Sequence, residues 1–340
     1  MFFRVFYCIL FYIQCCINYF FYSYQTNSGG YFMNTDYGTV DIGGTKIMAG
    51  ITDSEGCIKS WESFPTLELK VSQTMDRLIA SLKQQCAKLL LDFSSLKGIG
   101  IVCAGPVDPQ KGTIENPYTL PGWDHYPIVQ VLNERTQLPV LLENDVNGAL
   151  LGEASIKHLT HRRVLMIAFG TGIGCAFQAD GRLFRAGEGF HPELGHILIS
   201  PDSDTDPLNP PEPCYCGHRS CFENLWSGSA LHHRAKALGF QDFNDLYEKW
   251  TKKDPDAAAF IRKIRFELQT AVWNLSIIFK PDIIILGGGV MKTYYSFAKD
   301  ALSETNGSFT AFVPSYEILQ ADPDKNPALV GAMRLFAETI

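Results

Sequence analysis

Three cysteines stand within eight residues, Cys214, Cys216 and Cys221, and eighteen residues before the first of them lies His196, in the segment Glu193-Leu-Gly-His196. Thiolates this close repel one another unless a cation or a disulfide resolves the repulsion. Cys214 and Cys216 are too near in sequence for easy bridge geometry, and an odd trio cannot all pair. The spacing therefore predicts a tetrahedral Zn2+ site with one imidazole and three thiolates. Glu193 and Glu223 flank these ligands. A closed structural zinc has no use for them, so they point to a second role beside the metal.

Two glycine turns offer a different chemistry. In Asp41-Ile-Gly43-Gly44-Thr45-Lys46 the glycines let a phosphate approach the backbone, and the amides of Thr45 and Lys46 can donate to it. Asp41 can reach a magnesium ion through water; the plain alternative is a tight turn with Lys46 in solvent. Gly170-Thr171-Gly172-Ile173-Gly174 occupies the corresponding place further along. Facing each other across a cleft, the two turns would clamp phosphates from both sides. Neither is a Walker A loop, since no Gly-Lys-Ser/Thr closes the pattern. Neither is a dinucleotide fingerprint, because each leads into a strand and not a helix. Gly287-Gly288-Gly289 ends a third apolar run, where ligand crevices form in open α/β sheets, and is assigned to adenosine, with a simple turn as the alternative.

The segment Glu143-Asn144-Asp145-Val146-Asn147 lies between a predicted strand and a predicted helix. Asn144 or Asp145 would cap that helix. A carboxylate held there is also placed to accept a proton from a hydroxyl, with the helix N-terminus stabilising its charge. Asn144, with one donor and one acceptor end, suits bidentate recognition of neighbouring sugar hydroxyls.

The elements that must position these residues repeat. Strands are predicted over Tyr37–Ile42, Ile47–Thr52 and Cys57–Phe64, then an amphipathic helix over Val71–Leu91 and a strand over Gly98–Cys103. A helix over Ile128–Thr136 and a strand over Val140–Leu142 lead to the helix at Asp145. The order begins again with strands Val164–Phe169 and Cys175–Gln178, helices Ala230–Leu238 and Phe260–Phe279, and a strand Asp282–Leu286. This is an α/β chain, duplicated, with two domains around a cleft: residues 33–150 and 151–325, with a closing helix in 326–340 returning to the first. Residues 200–213, rich in Pro and Asp, read as a surface loop.

Composition narrows the function classes. A 46% hydrophobic and 19% charged chain of 340 residues can bury a large core, and a net charge of −7 gives no basic face for nucleic acid. Of ten cysteines, three fall in the first sixteen residues, three form the cluster, and Cys57, Cys86, Cys103 and Cys175 stand singly in apolar runs as expected buried hydrophobes. This points to a reducing, cytoplasmic compartment. Residues 1–24 carry one charge, Arg4, among Phe, Tyr, Ile and Cys. They read as an apolar leader, 1–32, translated from upstream of a start at Met33. A membrane anchor over 1–24 is the alternative.

Asp-x-Gly-Gly-Thr-Lys, Glu-Asn-Asp-x-Asn, Gly-Thr-Gly-x-Gly, Glu-x-Gly-His and Cys-x-Cys-Gly-x-x-x-Cys-x-Glu occur in this order from Tyr37 onward, and together they resemble the ROK family of bacterial sugar kinases and sugar-responsive repressors. The resemblance implies an actin-like ATPase fold of the ribonuclease H type, ATP with Mg2+, and phosphate transfer to a hexose hydroxyl. It implies Asp145 as catalytic base and Gly105, Asn116, Asn144, Asp145, Glu193, His196 and Glu223 as sugar contacts. It also implies ATP on the three glycine segments and zinc on His196, Cys214, Cys216 and Cys221. His196 would bind zinc through one ring nitrogen and face a sugar hydroxyl with the other. Family members are commonly dimers or tetramers. Glucose is the leading substrate, with N-acetylglucosamine, N-acetylmannosamine and fructose as alternatives; His191-Pro192 before Glu193 resembles the fructokinase-like branch. A repressor would carry a helix-turn-helix, and no basic recognition helix is read here. Ser220 stands where the family has glycine, which would make a left-handed turn costlier.

Overall fold

The computed structural model describes residues 35–338 apart from 69, 201–208, 211 and 305–314. The leader 1–32, with its reading as an anchor, and most of the 200–213 loop lie outside the described residues. Among those described, no helix is long and apolar enough to cross a membrane.

Two five-stranded sheets share one topology. The first contains β1 (Asp36–Ile42), β2 (Lys46–Asp53), β3 (Ile58–Pro65), β4 (Ile99–Cys103) and β7 (Val140–Asn144), ordered β3-β2-β1-β4-β7. The hairpin β5 (Val107–Asp108) and β6 (Thr113–Ile114) stands apart. The second sheet contains β8 (Val164–Phe169), β9 (Ile173–Ala179), β10 (Arg182–Leu183), β11 (Ile283–Gly287) and β12 (Glu317–Gln320), ordered β10-β9-β8-β11-β12. In each, the first strand pairs antiparallel with the second and parallel with the fourth. The parallel strands β4 and β11 are buried along their whole length, which is why their sequences run as unbroken apolar stretches.

Register decides where the chemistry lies. Ile42, Cys103 and Asn144 are successive partners across β1, β4 and β7. The Asp41 turn, the Gly105 loop and Asp145 therefore all emerge at the carboxyl ends of parallel strands, where α/β sheets open their crevices. In the second sheet Ala168 pairs with Gly287, which brings the Gly170 and Gly288 turns to one edge.

Helix α1 (Val71–Lys88) buries Met75, Leu78, Ile79, Leu82 and Cys86 as its periodicity requires, but it stops short of Leu91. Leu90 adopts a left-handed φ of 56° and is exposed, so the last apolar residues belong to the exit turn. Helix α2 (Ile128–Thr136) leads into β7, and α3 (Asp145–Ile156) follows it. Beyond the cysteine cluster come α4 (Phe222–Trp226), α5 (Gly228–Ala237), α6 (Phe243–Thr251), α7 (Pro255–Phe279), α8 (Met291–Ser303) and α9 (Pro327–Glu338). Sequence periodicity missed the short elements β5, β6, β10, β12, α4 and α6, and also α8. Cys57 differs from expectation as well: it is exposed at the turn before β3, while Cys86, Cys103 and Cys175 are buried.

Helix α3 belongs to both halves. Leu150 packs in a buried cluster with Val164, Met166, Ala176, Ile283 and Ile285 of the second sheet. Its other side meets α9 through glycines: a Cβ on Gly152 would lie 1.8 Å from the Pro327 carbonyl oxygen, and one on Gly331 would lie 1.8 Å from that of Gly148. The returning helix is thus locked backbone-to-backbone onto the helix that begins at Asp145. Gly152→Ala is expected to destabilise the protein by about 1–3 kcal/mol through overpacking. The urea midpoint measures this, and an unchanged midpoint would mean the two helices can part freely.

Candidate active site

Asn144 caps α3. Its Oδ1 accepts from the Val146 and Asn147 amides at 2.9 and 3.3 Å. That uses the acceptor end expected to meet a sugar, so bidentate recognition by Asn144 is corrected to the NH2 end alone. This end sits beside Gly105, where a Cβ would approach Asn144 Nδ2 to 2.7 Å. Asp145 follows in the first helical turn, its Oδ1 accepting from Val146 N at 2.8 Å.

Two carboxyls here are held far above their usual range. Asp145 is raised to about 6 by burial, against the backbone amides and the Asn144 side chain that favour its charge. Asp41 is raised to about 7 by burial and then by the charge of Asp145, with Lys46 opposing. A general base must be ionised to accept a proton, so if Asp145 has the role the resemblance implies, kcat/KM for a sugar is expected to fall with decreasing pH through about 6. A flat profile from pH 8 to pH 5 would remove Asp145 from that role.

The second glycine turn lies directly on the start of α3: a Cβ on Gly174 would sit 2.4 Å from Val146 Cγ2. The turn is braced by α5, since Gly228 N donates to Gly170 O and Ser229 Oγ to Thr171 O, each at 2.8 Å. Gly288, at φ 85°, adjoins the same turn, its notional Cβ 2.3 Å from Phe169 O, while Gly289 faces open space. The structure therefore joins residues 170–174 and 287–289 into one surface. The Gly43-Gly44 turn belongs to the other sheet, where Gly44 packs on the Thr119 carbonyl and Thr45 and Lys46 are exposed.

His196, Cys214, Cys216 and Cys221 converge, with ligand atoms all within 4.8 Å of one another. His196 Nδ1 lies 3.7 Å from Cys214 Sγ and 3.8 Å from Cys221 Sγ, close to the edges of a tetrahedron around one zinc, about 3.5–3.8 Å. Burial pushes the Cys214 thiol up to about 11 and Cys221 higher still. A metal bound here would displace their protons, and the convergence of one imidazole and three sulfurs is a donor set that fits zinc. Ser220 keeps an ordinary negative φ, and Gly217, at φ 92°, takes the left-handed position. The strain expected at Ser220 is thus absent.

The other ring nitrogen of His196 is 2.6 Å from the Tyr215 hydroxyl. Tyr215 stacks on Tyr118 at 5.2 Å between centroids, a pairing that sequence reading did not find. Glu193 is held above the usual carboxyl range by burial; His196 opposes this, and Glu223 and Asp145 add to it. Glu223 Oε2 accepts from Ile173 N at 2.8 Å and its Oε1 from the Cys214 thiol at 3.7 Å. It therefore ties the cysteine loop to the second glycine turn.

Asn116 differs from its expected role as a sugar contact. It is fully buried, with Nδ2 donating to Ala104 O and Thr119 Oγ1 and Oδ1 accepting from the Tyr118 and Thr119 amides. Its amide shapes the loop from within.

The ROK family model matches residues 37–339. A glucokinase of Streptomyces coelicolor is 34% identical over 74% of this chain and 81% of its own length. A putative fructokinase of Bacillus subtilis is 32% identical over 81% of this chain and 85% of its own. Among solved structures, a ROK family glucokinase from Streptomyces griseus in complex with glucose and AMPPNP is 29% identical, with a TM-score of 0.65 over 89% of this chain and 98% of its own.

Proposed function

The chain belongs to the ROK family of actin-like ATPase fold, and from that premise we propose that it transfers the terminal phosphoryl group of ATP to the 6-hydroxyl of a hexose, with glucose the first candidate. N-acetylglucosamine, N-acetylmannosamine and fructose are the alternatives within the same chemistry. The observation that carries this reading is the convergence on Asp145. One carboxylate at a helix N-terminus stands between Asn144, whose side chain adjoins Gly105, and Val146, whose side chain packs against Gly174 of the second glycine turn.

In this reading Asp145 accepts the hydroxyl proton as the phosphoryl group arrives. Phosphoryl transfer through a loose transition state asks mainly for alignment and late proton acceptance, which a carboxylate raised to about 6 supplies. The Asn144 NH2, Gly105, Glu193, Glu223 and His196 orient the sugar. For His196 this requires a sugar hydroxyl to replace that of Tyr215. Backbone amides of the Gly43–Lys46 and Gly170–Gly174 turns hold the phosphates, and Gly287–Gly289 leaves room for adenosine. Mg2+ bound with ATP would neutralise phosphate charge, with Asp41 as the nearby carboxylate. His196, Cys214, Cys216 and Cys221 would hold a structural Zn2+, which fixes the loop carrying the sugar contacts.

An ATP-coupled assay across glucose, fructose, mannose, N-acetylglucosamine and N-acetylmannosamine tests the proposal. Turnover of one or more is expected. Turnover of none, in protein that still binds a sugar, would make the chain a sensor.

A further inference from the structure

A cavity of about 470 Å³ is bounded by the outer edge of β7, the β5–β6 turn and the segment from β10 to Gly189. It thus draws its walls from both sheets, and the residues assigned above to sugar and ATP do not line it. Lys111, Arg182 and Arg185 contribute three positive charges, against the single carboxylate of Glu143 among the described lining residues. Lys111 Nζ is held 3.0 Å from Asp108. The two walls meet closely at Gly189, whose φ is 80° and whose Cβ would lie 2.6 Å from Gln110 Nε2.

One wall is wired to the catalytic junction. Arg185 Nη1 lies 2.5 Å from Glu143 Oε2, and Glu143 is almost wholly buried. Its Oε1 accepts from Asn144 N at 2.8 Å and from Asn147 Nδ2 at 2.9 Å. Asn147 Oδ1 in turn meets His191 Nδ1 at 3.1 Å. A chain of polar contacts therefore runs from the cavity wall to the two residues flanking Asp145 and Val146.

We propose that this cavity is a regulatory site for a small phosphorylated anion, which acts on Asp145 through Arg185 and Glu143. Guanidinium groups bind phosphate oxygens with paired, charge-assisted hydrogen bonds. A phosphate between Arg182 and Arg185 competes with Glu143 for the Arg185 guanidinium. As Glu143 loosens, the Asn144 amide and the Asn147 side chain lose their common acceptor, and turnover falls. The coupling rests on the reading of Asp145 as base; binding of the anion does not.

The test uses zinc-loaded protein with sugar and a non-hydrolysable ATP analogue filling the cleft. Inorganic phosphate and hexose 6-phosphate are each titrated by calorimetry into the wild type, Arg182→Glu and Arg182→Ala. Wild type is expected to show one saturable site, weakened at least tenfold in Arg182→Glu and less in Arg182→Ala, with kcat unchanged in both variants when no anion is present. Saturation by phosphate alone identifies a bare oxyanion as the ligand, and saturation only by the sugar phosphate identifies the product. Hydrogen exchange at the Asn144 backbone amide, which donates to Glu143 Oε1, should rise as the anion saturates wild type, and should rise in a variant only where the anion still binds. Absence of saturable binding, or equal binding by wild type and Arg182→Glu, overturns the site. Binding without faster exchange overturns the coupling. Because binding is read without turnover, a failure of Asp145 as base leaves the result interpretable.

Discussion

Asp145→Asn lowers kcat by about 10²–10⁴-fold, the range expected when a positioned general base is removed, and leaves the sugar dissociation constant nearly unchanged. The amide keeps the acceptor for the Val146 N–H, so the start of α3 is preserved. Substantial turnover in this variant would sink the role of Asp145. The same substitution should stabilise the fold at neutral pH. Burial raises the folded pKa of Asp145 from 3.8 to about 6, so the native state holds the proton more tightly than the unfolded chain. Its stabilising contribution is present at low pH and is lost as pH rises from about 4 through about 6. An uncharged Asn removes the cost of burying the anion. The expected gain is on the order of 1–2 kcal/mol, below what the shift alone implies because the residue is only partly buried. Lost turnover combined with a raised thermal midpoint separates loss of chemistry from loss of fold.

Cys216→Ser has the second largest expected effect. Three ligands in place of four should release most of the bound zinc in metal analysis and weaken sugar affinity about 10–100-fold, as when ligand-orienting contacts are cut. The loss should reach the sugar because His196 would be one of the four ligands and Glu223 lies beside Cys214. It should also raise the KM for ATP modestly, since Glu223 anchors the Ile173 amide of the glycine turn. Wild-type protein that carries no zinc would end the ligand assignment. So would a variant whose metal content equals that of wild type.

Much of the fold was legible because local patterns carried it. Repeated strand–glycine–strand units and the helical stripe ending near Cys86 need no distant partner to be recognised, and the spacing of Cys214, Cys216 and Cys221 alone keeps three thiols close together. What local pattern could not reveal were contacts between segments far apart in the chain. Arg185 on Glu143 and Tyr118 on Tyr215 have no sequence signature, because the partners lie far apart in the chain and no spacing rule links them. The short strands β10 and β12 likewise exist only because the edge of an already formed sheet pairs with them.

The residues whose roles shifted were polar side chains with more than one use. For Asn116, an amide beside a predicted cleft fits sugar recognition and loop closure equally; burial and four internal hydrogen bonds choose closure. For Asn144 the helix start takes the acceptor and leaves the donor. At Ser220, Gly217 absorbs the left-handed turn. Sequence by itself determined which residue types are present to do chemistry, and in what order: a glycine turn, one acid at a strand–helix junction, a second glycine turn, an imidazole, three thiols and a last run of glycines. Only the tertiary structure decided which atoms of those residues remain available. A hydrogen-bonding group is used by whichever partner folding brings within about 3 Å, and that is set by packing across the chain and not by spacing along it.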